Sequence, residues 1–247
     1  MGHFFFFIVG TILGSFLNVC IHRLPRGESL LFPASHCPYC GQRLKWRDLV
    51  PLLSYIILRG SCRHCQKLIS RRYPLLELVM GLLLPTLYFT LPPVDFFPAT
   101  AVTALVLVAT CTDLKEGIIP DAVVLPALGM GILYSALFPP NTLWESVAGA
   151  LLGGGVLTTI ALLSRGGMGG GDIKLMAALG AWLGLGRVPL ILFLSFLGGG
   201  MGALGLLFLG IKGRRDTVAF APYIAAAVIV SLFWERQLLA WYFRLWY

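Results

Sequence analysis

Long apolar stretches alternate with short polar segments along the chain. A helix needs about 20 mostly apolar residues to cross roughly 30 Å of hydrocarbon. The apolar stretches that approach or meet this length are 4–22, 75–92, 96–112, 121–138, 146–164, 173–186, 189–211 and 217–234. Residues typical of short loops separate them, namely Pro92-Pro93, Pro139-Pro140-Asn141, and Arg187 with Pro189. The pattern predicts about eight transmembrane helices, and the sixth stretch is short for a span.

Composition agrees with this pattern. Hydrophobic residues make up 57% of the 247 residues, charged residues make up 12%, and the mean hydropathy is +0.84. Soluble domains carry about 25% charged residues. The composition therefore excludes a disordered chain and an ordinary soluble enzyme, and it predicts an all-α polytopic membrane protein.

Basic residues are concentrated in one segment. Residues 23–73 hold ten of the 19 Lys and Arg and only two of the 11 acidic residues. With the N-terminus outside, this segment and the loops 113–120, 165–174 and 212–216 all face the cytoplasm. Cytoplasmic loops carry the excess of Lys and Arg, so this orientation is predicted. We expect the basic segment to contact anionic membrane lipids, with no role for nucleic acid.

Four of the six cysteines lie in this basic segment as two Cys-x2-Cys pairs, namely Cys37 with Cys40 and Cys62 with Cys65. Their spacing is close to that of zinc-ribbon sites, and a reducing compartment argues against disulfides. Four thiolates leave no open coordination position, so the metal would be structural. The pattern predicts a small cytoplasmic zinc-binding loop module. The alternatives are a set of free thiols, or a histidine in place of one cysteine.

Three aspartates lie at the edges of predicted helices. Asp113 ends the third helix, Asp121 opens the fourth, and Asp172 opens the sixth after a run of glycines. Charged side chains at membrane depth are costly and indicate function. Helix capping is an alternative explanation for Asp121 and Asp172, because carboxylates favour helix N-termini. It does not explain Asp113, which opposes the dipole of its own helix.

The predicted topology brings Asp113 and Asp172 to the same cytoplasmic face. Two carboxylates that lie close together share one proton. One member can then activate a water as a base while the other protonates a departing amine. This is the chemistry of an aspartic protease, and Asp113 and Asp172 are the predicted catalytic pair.

Several motifs, spread over nearly the whole chain, resemble those of one known family. They are Gly14-Ser15-Phe16-Leu17-Asn18-Val19, Arg23-Leu24-Pro25, the two cysteine pairs, Trp46-Arg47-Asp48-Leu49-Val50-Pro51, Ser70-Arg71-Arg72-Tyr73-Pro74-Leu75-Leu76-Glu77, the stretch from Asp113 to Asp121, and Gly169-Gly170-Gly171-Asp172. This set is similar to that of the type 4 prepilin peptidases, membrane aspartic proteases that also N-methylate their product. The last two motifs resemble the aspartate motifs of the family, and the resemblance also assigns catalysis to Asp113 and Asp172.

The resemblance carries further implications. The substrates would be prepilins and pseudopilins of type IV pili and type II secretion, cut after the glycine that ends a short basic leader. S-adenosylmethionine would donate a methyl group to the new N-terminus, with Gly60 and the cysteines as the expected participants. The protein would lie in the bacterial inner membrane. Its domains would be a first helix (1–22), the tetracysteine module (23–73) and a protease bundle (74–247).

Two other functions are compatible with parts of the sequence. One is a leader peptidase whose cysteine module is only structural. The other is a membrane transporter or proton channel, since carboxylates within the membrane also serve proton relays. A transporter predicts charged residues in the middle of spans and helices broken near the midplane. The acids of this chain lie instead at one edge, which favours the peptidase.

Overall fold

The computed structural model describes residues 1–211, 213 and 217–244, without the side chain of Phe243. Nearly all regular structure in this part of the chain is helical, apart from two isolated β-bridges. The helices are α1 (Gly2–Arg23), α2 (Leu53–Ile57), α3 (Arg72–Thr90), α4 (Pro93–Glu116), α5 (Asp121–Leu137), α6 (Leu143–Leu163), α7 (Gly170–Phe208) and α8 (Ala221–Arg244). Apart from Gly213, the predicted cytoplasmic loop 212–216 lies outside the described residues.

Among the described residues, six helices are long and apolar enough to cross a membrane. They are α1, α3, α4, α6, α7 and α8, whereas α5 is an apolar helix of 17 residues that falls just short. The all-helical polytopic membrane fold predicted from the sequence is therefore confirmed. This count of six is two below the predicted eight, because the sixth and seventh predicted spans form one element, α7, and because the fourth predicted span, α5, falls short.

Helix α7 contains a reversal of the chain at Gly184. This glycine has φ +74° and ψ 174°, a conformation outside the helical region that side chains rarely allow. Arg187, just after the reversal, lies 3.6 Å from Asp95 at the start of α4. A Cβ on Gly199 would lie 2.9 Å from the ring of Phe220, next to the start of α8. The segment 185–208 therefore returns toward the end of the bundle at which α7 began.

The predicted break between these two segments was at Arg187 and Pro189, whereas the observed break is three to five residues earlier. Pro189 lies inside the second segment of α7. Pro189 is the fifth residue of that segment, so the main-chain hydrogen bond that it cannot make would have gone to the carbonyl oxygen of the first residue, Leu185. The side chain of Asn141, in the loop before α6, donates to the carbonyl oxygen of Trp182 at 2.9 Å and fixes the end of the first segment.

Small residues bring neighbouring helices close together. Gly10 and Gly14 have the Gly-x3-Gly spacing, and a Cβ on Gly14 would lie 2.7 Å from the Cα of Glu77 in α3. Gly149 of α6 makes the same kind of approach, since its Cβ would lie 2.5 Å from the carbonyl oxygen of Gly180 in α7. Such contacts let helix backbones pack directly, which is how helices associate in a bilayer.

The contacts divide the chain into two compact units, Met1–Thr90 and Leu91–Tyr247. The first unit contains α1 and α3, which pack on each other, together with the cysteine segment between them. The second contains α4 to α8. The division by function into 1–22, 23–73 and 74–247 stays a prediction.

Candidate active site

The structure brings Asp113 and Asp172 to the same pocket. Asp113 lies in the last turn of α4, and Asp172 lies in the first turn of α7. Both line a cavity of about 280 Å³, together with Asp121 and the glycines 169–171. Three carboxylates from three different helices therefore surround one small space at the end of the second unit.

Asp113 caps a helix other than its own. Its Oδ2 accepts a hydrogen bond from the backbone N–H of Ala221 at 3.1 Å. Ala221 is the first residue of α8. A carboxylate at a helix N-terminus satisfies a free N–H group and suits the helix dipole. The expectation that capping cannot explain Asp113 was therefore wrong, because it considered only α4.

Asp172 has a different environment. Its Oδ1 is buried and has no hydrogen-bond partner among the described residues. The residue is at the third position of α7, and its side chain makes no N-terminal cap bond, so the capping alternative is not realised. Buried polar atoms without partners are rare and usually have a functional reason.

Gly169 and Gly171, two of the glycines before Asp172, leave little room for side chains. A Cβ on Gly169 would lie 2.9 Å from Asp172 Oδ2, and a Cβ on Gly171 would lie 2.9 Å from the Cβ of Ile119. The glycine at each of these positions therefore has a packing reason. Their bare backbone also forms part of the cavity wall.

Asp121 is paired with Lys174. The Lys174 ammonium lies 2.8 and 2.7 Å from the two carboxylate oxygens of Asp121. Asp121 begins α5 but makes no cap bond there. The third carboxylate of the cavity is thus neutralised by a partner. Among the described residues, no ion pair involves Asp113 or Asp172.

The four predicted metal ligands lie together in the first unit. The Sγ atoms of Cys37, Cys40, Cys62 and Cys65 all lie within 4.8 Å of one another. Tetrahedral zinc with bonds of about 2.3 Å places its sulfur ligands about 3.8 Å apart. The Cys37 and Cys65 sulfurs are 3.8 Å apart. The donor set and its dimensions therefore fit one Zn²⁺.

The two cysteine pairs lie in two hairpins with the same hydrogen bonds. The Cys37 N–H donates to Gln42 and the Gly41 N–H donates to Cys37. In the second hairpin the Cys62 N–H donates to Lys67 and the Gln66 N–H donates to Cys62. Both turns use a positive φ, +67° at Gly41 and +59° at Gln66. The sequence does not reveal this repeat, because only the first of the two turns has a glycine at the position with positive φ.

In the second hairpin, Cys62 is the cysteine whose surroundings favour the thiolate. Backbone N–H groups of Cys65 and His64 donate toward the sulfur of Cys62 and lower the pKa of its thiol to about 7. The thiolate is the form that binds metal. His64 is absent from the group of possible ligands, as is His36, so the cysteines alone form the cluster among the described residues.

Gly60, the residue expected to take part in methyl transfer, is buried beside Tyr55. A Cβ at this position would lie 2.9 Å from the Tyr55 ring. The Gly60 N–H donates to the carbonyl oxygen of Tyr55, and its own carbonyl accepts from Ile69. These contacts give Gly60 a packing role at the base of the second hairpin. Its part in methyl transfer stays a prediction.

Sequence reasoning missed the contact of Glu77 with the cysteine segment. Glu77 is 8% exposed, and its Oε2 accepts a hydrogen bond from the N–H of Leu52 at 2.8 Å. The signal that could have found its role is an acid near the start of an apolar stretch, with no basic residue one helical turn away.

The regions of the chain that match known protein families correspond to the two compact units, Met1–Thr90 and Leu91–Tyr247. A family model described as "Bacterial Peptidase A24 N-terminal domain" matches residues 8–91. A second model, "Type IV leader peptidase family", matches residues 100–204. No solved structure matches the chain.

Three relatives, each called "Prepilin leader peptidase/N-methyltransferase", are similar over most of their length. The protein from Aeromonas hydrophila is 38% identical over 96% of this chain and 92% of its own. That from Klebsiella pneumoniae is 40% identical over 77% and 89%, and that from Bacillus subtilis (strain 168) is 33% identical over 97% of both. The fold and these matches define a polytopic membrane peptidase. The chain belongs to the type IV leader peptidase family, which confirms the resemblance found in the sequence.

Proposed function

We propose that this protein removes the short basic leader from prepilins and pseudopilins and then N-methylates the new N-terminal residue. Asp113 and Asp172 are the proposed catalytic pair. The observation that carries this proposal is their common cavity, in which Asp172 Oδ1 is buried without a described partner. The names of the relatives supply the substrate class and the second activity.

The geometry supports hydrolysis by a shared proton. The ionised carboxylate takes a proton from a water, whose oxygen bonds to the carbonyl carbon of the scissile peptide. The protonated carboxylate gives its proton to the substrate, and the amine leaves with that proton when the C–N bond breaks. The bare backbone of residues 169–171 lets the substrate strand approach the pair closely.

The cysteine cluster would hold one structural Zn²⁺ through Cys37, Cys40, Cys62 and Cys65. The proposed role of the ion is to keep the two hairpins together. The basic segment is small for a hydrophobic core of its own, and metal ligation provides folding free energy to such modules.

S-adenosylmethionine is the proposed methyl donor. In this transfer the freed α-amino nitrogen bonds to the methyl carbon, the sulfonium becomes a thioether, and the amine loses a proton to solvent. The cysteine segment, with Gly60, is the proposed place of this step. The proposal rests on the family resemblance and on the names of the relatives.

The proposed location is the inner membrane of a bacterium. The proposed topology has eight crossings, with the N-terminus outside and the catalytic face toward the cytoplasm. The reversal of α7 at Gly184 supports this count, because it divides α7 into two antiparallel segments. Asp113 and Asp172 would then share the cytoplasmic face with the basic segment. Contacts of that segment with anionic lipid belong to the same proposal.

Mass spectrometry of a prepilin incubated with the purified enzyme, with and without S-adenosylmethionine, tests the function. We expect cleavage under both conditions and the added mass of one methyl group only with the donor. Cleavage without methylation would leave the leader peptidase alternative. An intact prepilin under both conditions would contradict the proposal and favour the transporter.

A further inference from the structure

A cationic cavity opens in the cysteine segment, separate from the metal cluster. It has a volume of about 350 Å³, and its lining includes Lys45, Arg47, Asp48, Ser54 and Arg63. Asp48 Oδ1 accepts from Nε and Nη2 of Arg63 at 2.9 and 2.8 Å, so these two charges cancel. Lys45 and Arg47 form no ion pair with a described residue. The cavity therefore carries two uncompensated positive charges and suits an anionic group.

Large, exposed apolar side chains line this cavity or adjoin its lining residues along the chain. Trp46 is 73% exposed, Ile56 is 71% and Ile57 is 64%. Ile57 also lines the cavity itself. An apolar patch of this kind, with basic residues at its side, indicates a binding surface rather than a surface facing only water. Tryptophan and aliphatic residues beside Arg and Lys are typical of the membrane interface.

A hydrogen bond places this surface beside the membrane-spanning helices. Leu52, directly before α2, donates its N–H to Glu77 Oε2 at 2.8 Å. Glu77 is six residues into α3 and packs against Gly14 of α1, and both helices are candidate spans. Helix α2 therefore begins beside two candidate spans, close to the first turns of α3 and to the middle of α1.

The backbone at this junction is bent into a tight turn. Leu52 has φ +60° and ψ −49°, and the Leu53 N–H donates to the carbonyl oxygen of Pro51 at 2.6 Å. This is a γ-turn of the rare, strained type. A strained turn persists when its surroundings hold it in place. Here the Glu77 carboxylate holds the turn by accepting from the Leu52 N–H, and it fixes the direction in which α2 begins.

We propose that this cavity binds the phosphate of an anionic phospholipid through Lys45 and Arg47, while Trp46, Ile56 and Ile57 contact its acyl chains. The methyl donor is a poorer occupant, because its sulfonium would add a third positive charge. The proposal rests on the proposed contact of the basic segment with anionic lipid, for which it names a site, and it does not depend on the roles of the aspartates. It requires only that the segment lies at the membrane surface.

Native mass spectrometry of the full-length protein in detergent, with added phosphatidylglycerol, tests this site. The variant Lys45→Gln/Arg47→Gln should weaken binding of the first lipid by about twentyfold to thirtyfold, since each basic residue contributes about 1 kcal/mol. The matched control is Arg43→Gln/Lys67→Gln, which removes two charges from the same segment outside the cavity. This control should change binding by less than about threefold. An equal loss in both variants would overturn the proposal, since it would show that attraction is spread over the whole segment.

Two further arms identify the source of the phosphate and the role of the apolar residues. Phosphatidylcholine and soluble glycerol phosphate should both bind more weakly than phosphatidylglycerol, and equal binding by either would contradict the site. A photoreactive benzoylphenylalanine at position 56 should form adducts with lipid in membranes. If the adducts formed instead with prepilin or with residues 91–247, they would contradict the lipid site and show that this surface contacts protein. Asp113→Asn, which tests the proposed function, should bind lipid as the unaltered protein does, so the two proposals fail separately.

Discussion

The carboxylate of Asp113 accepts a hydrogen bond from the first N–H group of α8, with 3.1 Å between Asp113 Oδ2 and the nitrogen of Ala221. These residues are 108 positions apart in the chain. A charge that is unfavourable at the end of its own helix is thus compensated by the start of another. The bond also fixes the orientation of the carboxylate beside the cavity that it shares with Asp172.

Substitution of either aspartate by asparagine should remove peptidase activity without unfolding the protein. Asp113→Asn and Asp172→Asn should each lower prepilin cleavage at least a hundredfold, because each removes one half of the proton-sharing pair. Asparagine at position 113 still accepts from Ala221, so thermal stability in detergent should change little. Cleavage at the normal rate by either variant would remove that residue from the pair.

Asp121→Asn should have a smaller effect. The pair of Asp121 with Lys174 is exposed on both sides, with side-chain exposures of 53% and 44%. Exposed pairs contribute about 1 kcal/mol or less, so cleavage should fall by about fivefold at most. The matched control is Lys174→Met, which should lower prepilin cleavage to a similar extent. Cleavage by both variants is measured on gels. An inactive Asp121→Asn beside an active Asp113→Asn would mean that the catalytic pair is misassigned.

Loss of the cysteines should affect methylation more than cleavage. Cys37→Ser/Cys40→Ser removes two of four thiolates and should abolish bound zinc, as measured by elemental analysis of the purified protein. Methylation of the cleaved product should fall, while part of the cleavage activity survives. Cys20→Ser, in α1 and outside the cluster, is the control. Zinc-free wild-type protein with full activity would contradict the metal site, and full methylation by the double variant would contradict its role.

Gly14→Ala should destabilise the contact between α1 and α3. The new Cβ would lie 2.7 Å from the Cα of Glu77 and 2.8 Å from the carbonyl oxygen of Leu76, which are backbone atoms that cannot rotate away. Overpacking of this kind costs about 1–3 kcal/mol. Gly155→Ala is the control, because nothing lies within 4 Å of its Cβ position. Gly14→Ala should unfold at a lower concentration of dodecyl sulfate than Gly155→Ala. Equal resistance of the two variants would argue against the close approach of α1 and α3.

Labelling of introduced cysteines tests the orientation. In intact cells Pro140→Cys, between α5 and α6, should react with an impermeant thiol reagent, whereas Lys115→Cys, at the end of α4, should not. Both should react once the membrane is permeabilised. The reverse pattern would place the aspartate cavity and the cysteine segment on the outer face.

The sequence predicted the features that depend on local pattern. Apolar stretches located the helices, and the two Cys-x2-Cys motifs located the cluster, because their ligands are encoded by spacing within one segment. Features that depend on distant partners were missed. Nothing near Asp113 indicates that Ala221 will need a cap, and nothing near Glu77 indicates that Leu52 will adopt a strained turn. The break in α7 was placed at Arg187 and Pro189 because proline is the usual helix breaker, whereas the chain turns at Gly184, where a positive φ favours glycine.

The reversal at Gly184 also has a consequence for biosynthesis. The first leg of α7, residues 170–183, is only about 21 Å long and carries Asp172 and Lys174. Such a segment is a weak insertion signal for the translocon, which discriminates against charges and short apolar stretches. The second leg, residues 185–208, is about 36 Å long and strongly apolar. In the proposed topology we therefore expect the two legs to enter the bilayer as one helical hairpin, so that Asp172 would reach its final depth only after the ribosome has synthesised the leg that follows it.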